Sequence, residues 1–483
     1  MLGGPAPDGH GAWYRRPLMR SRLLLLPAAV LTALVLAGPA SAETTVAINV
    51  GPAPGTPAKY DKVFVTKFGS PKATKVLVLI PGTNGGAGNF TLVARQIVKR
   101  LPSFQVWAMD RREQALEDTS RMEQAFKGAI TPQQALDYYL GWIANPAISP
   151  HYAPLQGKDY AFMKNWGMRV NLDDTRRVVL AARKGGRTVV LGGHSLGASF
   201  AAAYAAWNFN GRPGYKDIAG IVAIDGGLLG TFDGMTTAAQ AKAALAKLDV
   251  TKSNPDGPWL NLLNIPGFSW ATGPFAEVGA LAAMKDPNAP SILQGFPLLP
   301  GILKPSYQVT NEGALGYAFD ATTSPKVLSL IQVRAGQQAA GPEPRGWQNG
   351  EVTPIQNVAA GFAQGRVNGV DWYYPARLNV DTDAASSMAN TPAAKALGLG
   401  FPFLKDVNIP YYAFQTSLTA ARNGVINGAK NFARKSRVPK GGLVVFPPLT
   451  VLSPDLGTFD FFAKFFAPLI TPLRAAVSDV WKA

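Results

Sequence analysis

A chain of 483 residues with 47% hydrophobic and only 16% charged residues has enough apolar mass for a large packed core and too few charges for a disordered state. Its 50 glycines and 39 prolines point to a loop-rich globular protein, and its formal net charge of +17 is scattered rather than gathered into a patch, which argues against a nucleic-acid partner. Cysteine is absent, so disulfides, thiolate catalysis and cysteine-ligated metals are excluded.

Residues 1–42 read as a signal peptide. Arg15, Arg16, Arg20 and Arg22 precede an apolar run at 23–36, and Ala40-Ser41-Ala42 offers a small-residue cleavage site before Glu43. Pro17-Leu18-Met19 fits a twin-arginine signal poorly, so general secretion is expected. The run is shorter than the roughly 20 residues a membrane span needs, and no later segment is long enough. The expected location is extracellular or in the cell envelope, with no transmembrane span after signal removal. Loss of four arginines and Asp8 leaves +14 of the formal +17. The densest basic run, 430–440, reads as a solvated helix end.

Short opening strands are expected at 44–50 and 63–67, around a loop at 51–58. The run KVLVLI at 75–80 is the first strong buried strand; it leads into a glycine-rich turn at 81–90 and an amphipathic stretch at 91–101. A strand at 104–109 ends at Asp110-Arg111-Arg112, and an irregular connection follows at 113–170. A helix is expected over 171–184, stopped by Gly185-Gly186.

The next run, Val189-Val190-Leu191, enters Gly192-Gly193-His194-Ser195-Leu196-Gly197 and leaves through an alanine-rich helical pattern to residue 206. A strand, a sharp turn and a helix in that order are what a nucleophile elbow requires, and the glycines at 193 and 197 leave room for the strained serine between them. A strand at 218–224 ends at Asp225-Gly226-Gly227. Strands alternating with helices at this spacing predict a doubly wound, mostly parallel α/β sheet. The alternation lapses between 228 and 406, a segment rich in proline, glycine and aromatic residues that reads as an inserted cap or lid. It resumes with a strand at 409–414, a helix at 417–433, a strand at 443–446 and an apolar helical stretch at 459–480. The expected division is therefore signal at 1–42, sheet domain at 43–227 and 407–483, and cap at 228–406.

The elbow and the motif order, over about 75–226 and 407–480, resemble the α/β-hydrolase superfamily. That resemblance implies Ser195 as nucleophile and an oxyanion hole from Leu196, the residue after the serine, and from Thr83 in the glycine-rich turn. Some lipases of this fold carry the same Pro-Gly-Thr. It also implies a histidine base after the last strand, and here the sequence departs from the pattern. The three histidines are His10 in the signal, His151 upstream of the elbow and His194 within it. Aligned on the His-x-Asp of many relatives, Asp460 matches the aspartate and Thr458 occupies the histidine position, where a hydroxyl cannot accept and return a proton near neutral pH. Asp225 is the strand-end candidate for the acid, against a plain turn residue ahead of Gly226-Gly227. On so sharp a turn the His194 ring is expected to point away from the serine, so His194 is the weaker candidate base and His151 the stronger, set against a plain surface-loop histidine.

Two further clusters stand out. Asp110, Arg111, Arg112, Glu113, Glu117 and Asp118 read as a structural ion-pair network at the carboxyl edge of the sheet, or else as a ligand site there. Trp259, Phe268, Trp270, Phe275, Trp347, Trp372, Tyr373 and Tyr374 read as the cap's own core, with one or two left to face a ligand. No metal-spacing cluster, phosphate loop or dinucleotide fingerprint is present, so no cofactor is expected. The function expected is a secreted serine hydrolase, an esterase or lipase acting on small lipid-like esters of apolar acyl groups. The alternative is a hydrolase-fold protein impaired in catalysis that binds an apolar ligand or a partner. Substrate identity and oligomeric state are not legible in the sequence.

Overall fold

The computed structural model describes residues 43–260, 269–328, 331–350, 352–446, 452 and 455. The expected signal at 1–42 and the expected closing helix at 459–480 lie outside the described residues, as do Thr458 and Asp460. Eight strands build one sheet: β1 (Thr44–Asn49), β2 (Lys62–Phe68), β3 (Lys75–Ile80), β4 (Phe104–Asp110), β5 (Thr188–His194), β6 (Ile221–Ile224), β7 (Tyr411–Phe414) and β8 (Leu443–Val445). They lie in the order β1-β2-β4-β3-β5-β6-β7-β8. β2 runs antiparallel to both β1 and β4, and the remaining neighbours are parallel.

The run Val76, Leu77, Val78, Leu79, Ile80 has no polar position because both faces of a central parallel strand are covered. Alternation divides it. Val76, Val78 and Ile80 enter one core with α2 (Met168–Ala182) and α3 (Leu196–Ala206), while Leu77 and Leu79 enter another with Val93, Ala94 and Ile97 of α1 (Thr91–Arg100). All 11 residues of α3 are buried, and its small side chains let it lie close against the sheet.

A third core lies largely within the segment expected as a cap. It is formed around α4 (Thr272–Lys285), with the helices Asn311–Phe319 and Ile355–Phe362 packed on it. Trp259, Trp270, Phe275, Trp347, Trp372 and Tyr373 are buried there, whereas Tyr374 joins the sheet core. Tyr139, Tyr152, Met163 and Trp166, from the connection before β5, are part of this same core, so that connection packs with the cap. The helix α5 (Arg377–Ala385) turns Leu378, Ala384 and Ala385 into the sheet core.

The expected single helix at 417–433 is two helices, Ser417–Ala420 and α6 (Gly424–Lys435). Asn423 breaks it in a left-handed conformation, φ 48°, which asparagine tolerates better than most residues. Lys430, Arg434 and Lys435 are exposed at the end of α6. No helix among the described residues is long and apolar enough to cross a membrane.

Candidate active site

Ser195 sits between β5 and α3 with φ 50° and ψ −118°, a conformation that L side chains avoid. The turn is held by the Ser195 amide, which donates to the Ile224 carbonyl at 2.8 Å, and by the Ala198 amide, which donates to the Ser195 carbonyl at 3.0 Å. A Cβ at Gly193 would overlap the Gly197 backbone, and one at Gly197 would overlap the Ile80 carbonyl, so helix, turn and strand approach as closely as they do only with glycine at both places. This strained serine, on a strand-to-helix turn at the carboxyl edge of a sheet with this strand order, decides the architecture. The chain has the α/β-hydrolase fold.

No family model matches the chain, and no curated protein matches it in sequence. Among solved structures it is similar to the thioesterase domain from the curacin biosynthetic pathway, at 13% identity over 89% of this chain and 99% of that one, TM-score 0.40. It is also similar to epoxide hydrolase A from Mycobacterium thermoresistibile, at 12% identity over 90% of this chain and 98% of that one, TM-score 0.40. An epoxide hydrolase from Vigna radiata gives 13% identity, 89% and 98% coverage, and a TM-score of 0.40.

Within this hydrolase fold Thr83, Ser195 and Leu196 line one cavity of about 250 Å³. The Leu196 amide is the first of α3, where a helix has no internal acceptor for its N–H, and neither it nor the Thr83 amide has an acceptor among the described residues. Gly82 brings the Thr83 turn against the serine: a Cβ at Gly82 would lie 3.2 Å from Ser195 Cβ. The Thr83 hydroxyl is hydrogen-bonded to the Tyr374 phenol, which in turn donates to Asn379 Oδ1 at 2.6 Å.

Arg111 fixes this turn. Its buried guanidinium donates to the carbonyls of Pro81 at 2.9 Å, Gly82 at 3.3 Å and Gly85 at 3.0 Å, and pairs with Glu113 and Asp371 at 2.6 Å each. The Asp371 amide also donates to the Asn84 carbonyl, and Asn84 Nδ2 donates to the Asp371 carbonyl, so this segment is tied to the same turn. Arg112 pairs with Asp61 and Asp174. Arg111, Arg112 and Glu113 thus belong to buried ion pairs, and those of Arg111 shape the candidate oxyanion loop.

Behind that turn lies a layer of buried carboxyls. Asp110 accepts from the Ala87 amide; Glu117 accepts from Asn368 Nδ2 and the Trp372 amide at 2.7 Å each; Glu277 accepts from Asn368 Nδ2 at 3.1 Å and Trp372 Nε1 at 2.5 Å. Burial raises all of their pKa values, that of Asp110 to about 7.

The other sequence-derived candidates fall as follows. Asp225 ends β6 with φ 49°; its buried carboxylate accepts from the Thr416 amide at 3.0 Å and from the hydroxyls of Thr416 and Thr419. His194 lies inside the turn, where its Nδ1 is 3.0 Å from the place a Gly82 Cβ would take, and it does not line the cavity. Burial lowers its pKa against the pull of Asp225. His151 is exposed, stacked on Trp142 at 4.5 Å and bonded through Nδ1 to the Tyr152 carbonyl at 2.9 Å; it does not line the cavity. Among the described residues no group of histidine and carboxylate ligands is arranged to hold a metal ion.

One wall of the cavity was not legible in the sequence. Asn379, Thr382, Asp383 and Ser386 line it from α5 and its C-cap, facing a wall that includes Leu228, Phe232 and Leu418. With no partner beside its carboxyl among the described residues, partial burial pushes Asp383 up to about 6. The spacing i, i+3, i+4, i+7 was the available signal, hidden within a segment of patchy periodicity.

Proposed function

We propose that this protein is a serine hydrolase of carboxylic esters, exported by its N-terminal signal, with Ser195 as the nucleophile. The observation that carries the reading is the strained Ser195 in one cavity with two amides, those of Thr83 and Leu196, that have no acceptor among the described residues. In this reading Ser195 Oγ attacks the ester carbonyl, the two amides stabilise the oxyanion, the alcohol leaves with a proton, and water releases the acid and restores the serine. Leu228, Phe232 and Leu418 supply an apolar wall for the acyl group.

A second reading is supported by a specific observation: no histidine lines the cavity among the described residues. A triad serine without its base commonly loses roughly 10⁴ or more in rate, with a residue of catalysis left from the oxyanion hole and binding. On this reading the cavity binds an ester without efficient turnover. Treatment with a fluorophosphonate probe separates the two. Rapid labelling lost in Ser195→Ala is the result expected of the hydrolase, and labelling at the wild-type rate in His151→Ala is expected with it, since His151 stacks on Trp142 at the surface. An unlabelled protein that still binds a short ester is the result expected of the binder.

A further inference from the structure

The helix α5 is amphipathic in an unusual sense. Leu378, Ala384 and Ala385 face the core, and the opposite stripe, Asn379, Thr382, Asp383 and Ser386, faces the Ser195 cavity. Ser386 is the C-cap but keeps helical dihedrals, φ −50° and ψ −37°, so the four side chains form one continuous row over about two turns, roughly 10 Å.

Most of the hydrogen-bonding capacity of this row is unused inside the protein. Asn379 accepts from Tyr374 through Oδ1, and its Nδ2 donates to nothing among the described residues. Thr382 donates to the Leu378 carbonyl at 2.7 Å, leaving its oxygen to accept. The Asp383 carboxylate and the Ser386 hydroxyl have no hydrogen-bond or ion-pair partner among the described residues. The row therefore offers acceptors at Thr382, Asp383 and Ser386 and donors at Asn379 and Ser386. A purely apolar ligand would leave these groups without partners when it displaced water from them, which costs about 1–3 kcal/mol for each buried group.

The charge of the wall narrows the ligand further. Its acidic side chains are Asp383 and Asp233, with Arg422 paired to Asp233 at the exposed rim, and among the described residues no lysine, arginine or histidine lines the cavity. A phosphate or carboxylate head group would be repelled. Hydroxyls, which both donate to a carboxylate and accept from an amide, match the row group for group.

We infer that the Ser195 cavity takes acyl esters of a sugar, a neutral polyhydroxylated alcohol, with Asn379, Thr382, Asp383 and Ser386 binding the hydroxyls of the alcohol part and Leu228, Phe232 and Leu418 receiving the acyl chain. The inference rests on the serine-hydrolase reading for the fate of the ester, and on the cavity wall alone for its recognition. In the reaction the bond between acyl carbon and polyol oxygen breaks, the polyol leaves carrying a proton, and water adds to the acyl-serine to give the acid and free Ser195.

The test uses Ser195→Ala protein, which holds the ester intact, in calorimetric titrations with glucose 6-butyrate, ethyl butyrate and choline butyrate. The expected result is binding of the sugar ester at least tenfold tighter than ethyl butyrate, with the difference falling to about twofold or less in Ser195→Ala/Asp383→Ala. Thermal unfolding of the double variant close to that of Ser195→Ala shows that the cavity is still folded. Equal binding of the three esters, tighter binding of choline butyrate, or a sugar preference that survives Asp383→Ala overturns the inference. In wild type, the kcat/KM ratio of sugar ester to ethyl ester is expected to exceed ten and to collapse in Asp383→Ala. Fluorophosphonate labelling without any sugar preference sinks the polyol inference and leaves the hydrolase reading standing; a sugar preference in calorimetry without labelling does the reverse.

Discussion

Arg111 and Asp371, 260 positions apart in sequence, meet as a buried ion pair at 2.6 Å. Because the same guanidinium holds the carbonyls of Pro81, Gly82 and Gly85, the pair couples the cap to the turn that carries Thr83. Replacing Arg111 by Met leaves Asp371 and Glu113 buried without their cation, and loss of one partner of such a pair costs about 3–5 kcal/mol. Urea unfolding is expected to show a loss of that size, with slower fluorophosphonate labelling at Ser195. Arg111→Lys recovers only part of it, because a point charge cannot reach three carbonyls and two carboxylates at once. A change under about 1 kcal/mol in Arg111→Met would remove Arg111 as the clamp of this loop.

Ser195 stores strain of about 1–3 kcal/mol in its φ of 50°. Glycine adopts this conformation freely, and its greater freedom in the unfolded chain costs about 0.5–1 kcal/mol in return. Ser195→Gly is therefore expected to be as stable as wild type or more stable, by up to about 2 kcal/mol, while losing all labelling. Chemical denaturation compares the two directly, and a clear destabilisation would mean that the serine side chain, and not the turn, holds the elbow together.

The pH dependence of stability has a sign fixed by Asp110. Its folded pKa, about 7, lies above the ordinary carboxyl value near 4, so between those limits the folded state keeps a proton that the unfolded state has lost. Its contribution is complete below about pH 4 and is lost as pH rises through about 7. Asp110→Asn keeps the shape and removes the titration, so its unfolding free energy is expected to decline less steeply than that of wild type between those pH values. Unfolding curves measured at several pH values decide it, and parallel slopes for the two proteins would rule it out. Asp174, also raised to about 7, acts in the same direction in both.

Much of the sheet and the elbow was legible because their signals are local. The strand at Lys75–Ile80 has the expected bounds, since its burial on both faces is written in an unbroken apolar run. The glycines at 193 and 197 are demanded by atoms a few residues away or in the adjoining strand. The strand expected from 218 begins at Ile221, and the helix expected from 171 begins at Met168, because propensity does not mark where pairing or capping starts. The cap was legible only as an interruption; that Tyr152 belongs to the core there depends on ring contacts with Trp270 and Trp372, far along the chain.

The sequence by itself determined the strand–turn–helix around Ser195, the glycine-rich turn at Thr83 and the absence of a histidine at the position its pattern leads one to expect, for these are properties of neighbouring residues. Only the tertiary structure decided which polar groups face the serine. Asp225 is held by Thr416 and Thr419, His151 lies on Trp142, and the row from Asn379 to Ser386 is turned into the cavity. The physical reason is that a helix presents a polar stripe wherever its apolar face finds a core. Where α5 finds its core is set by the packing of Leu378, Ala384 and Ala385 against the sheet, a long-range choice that no local pattern in residues 377–386 contains.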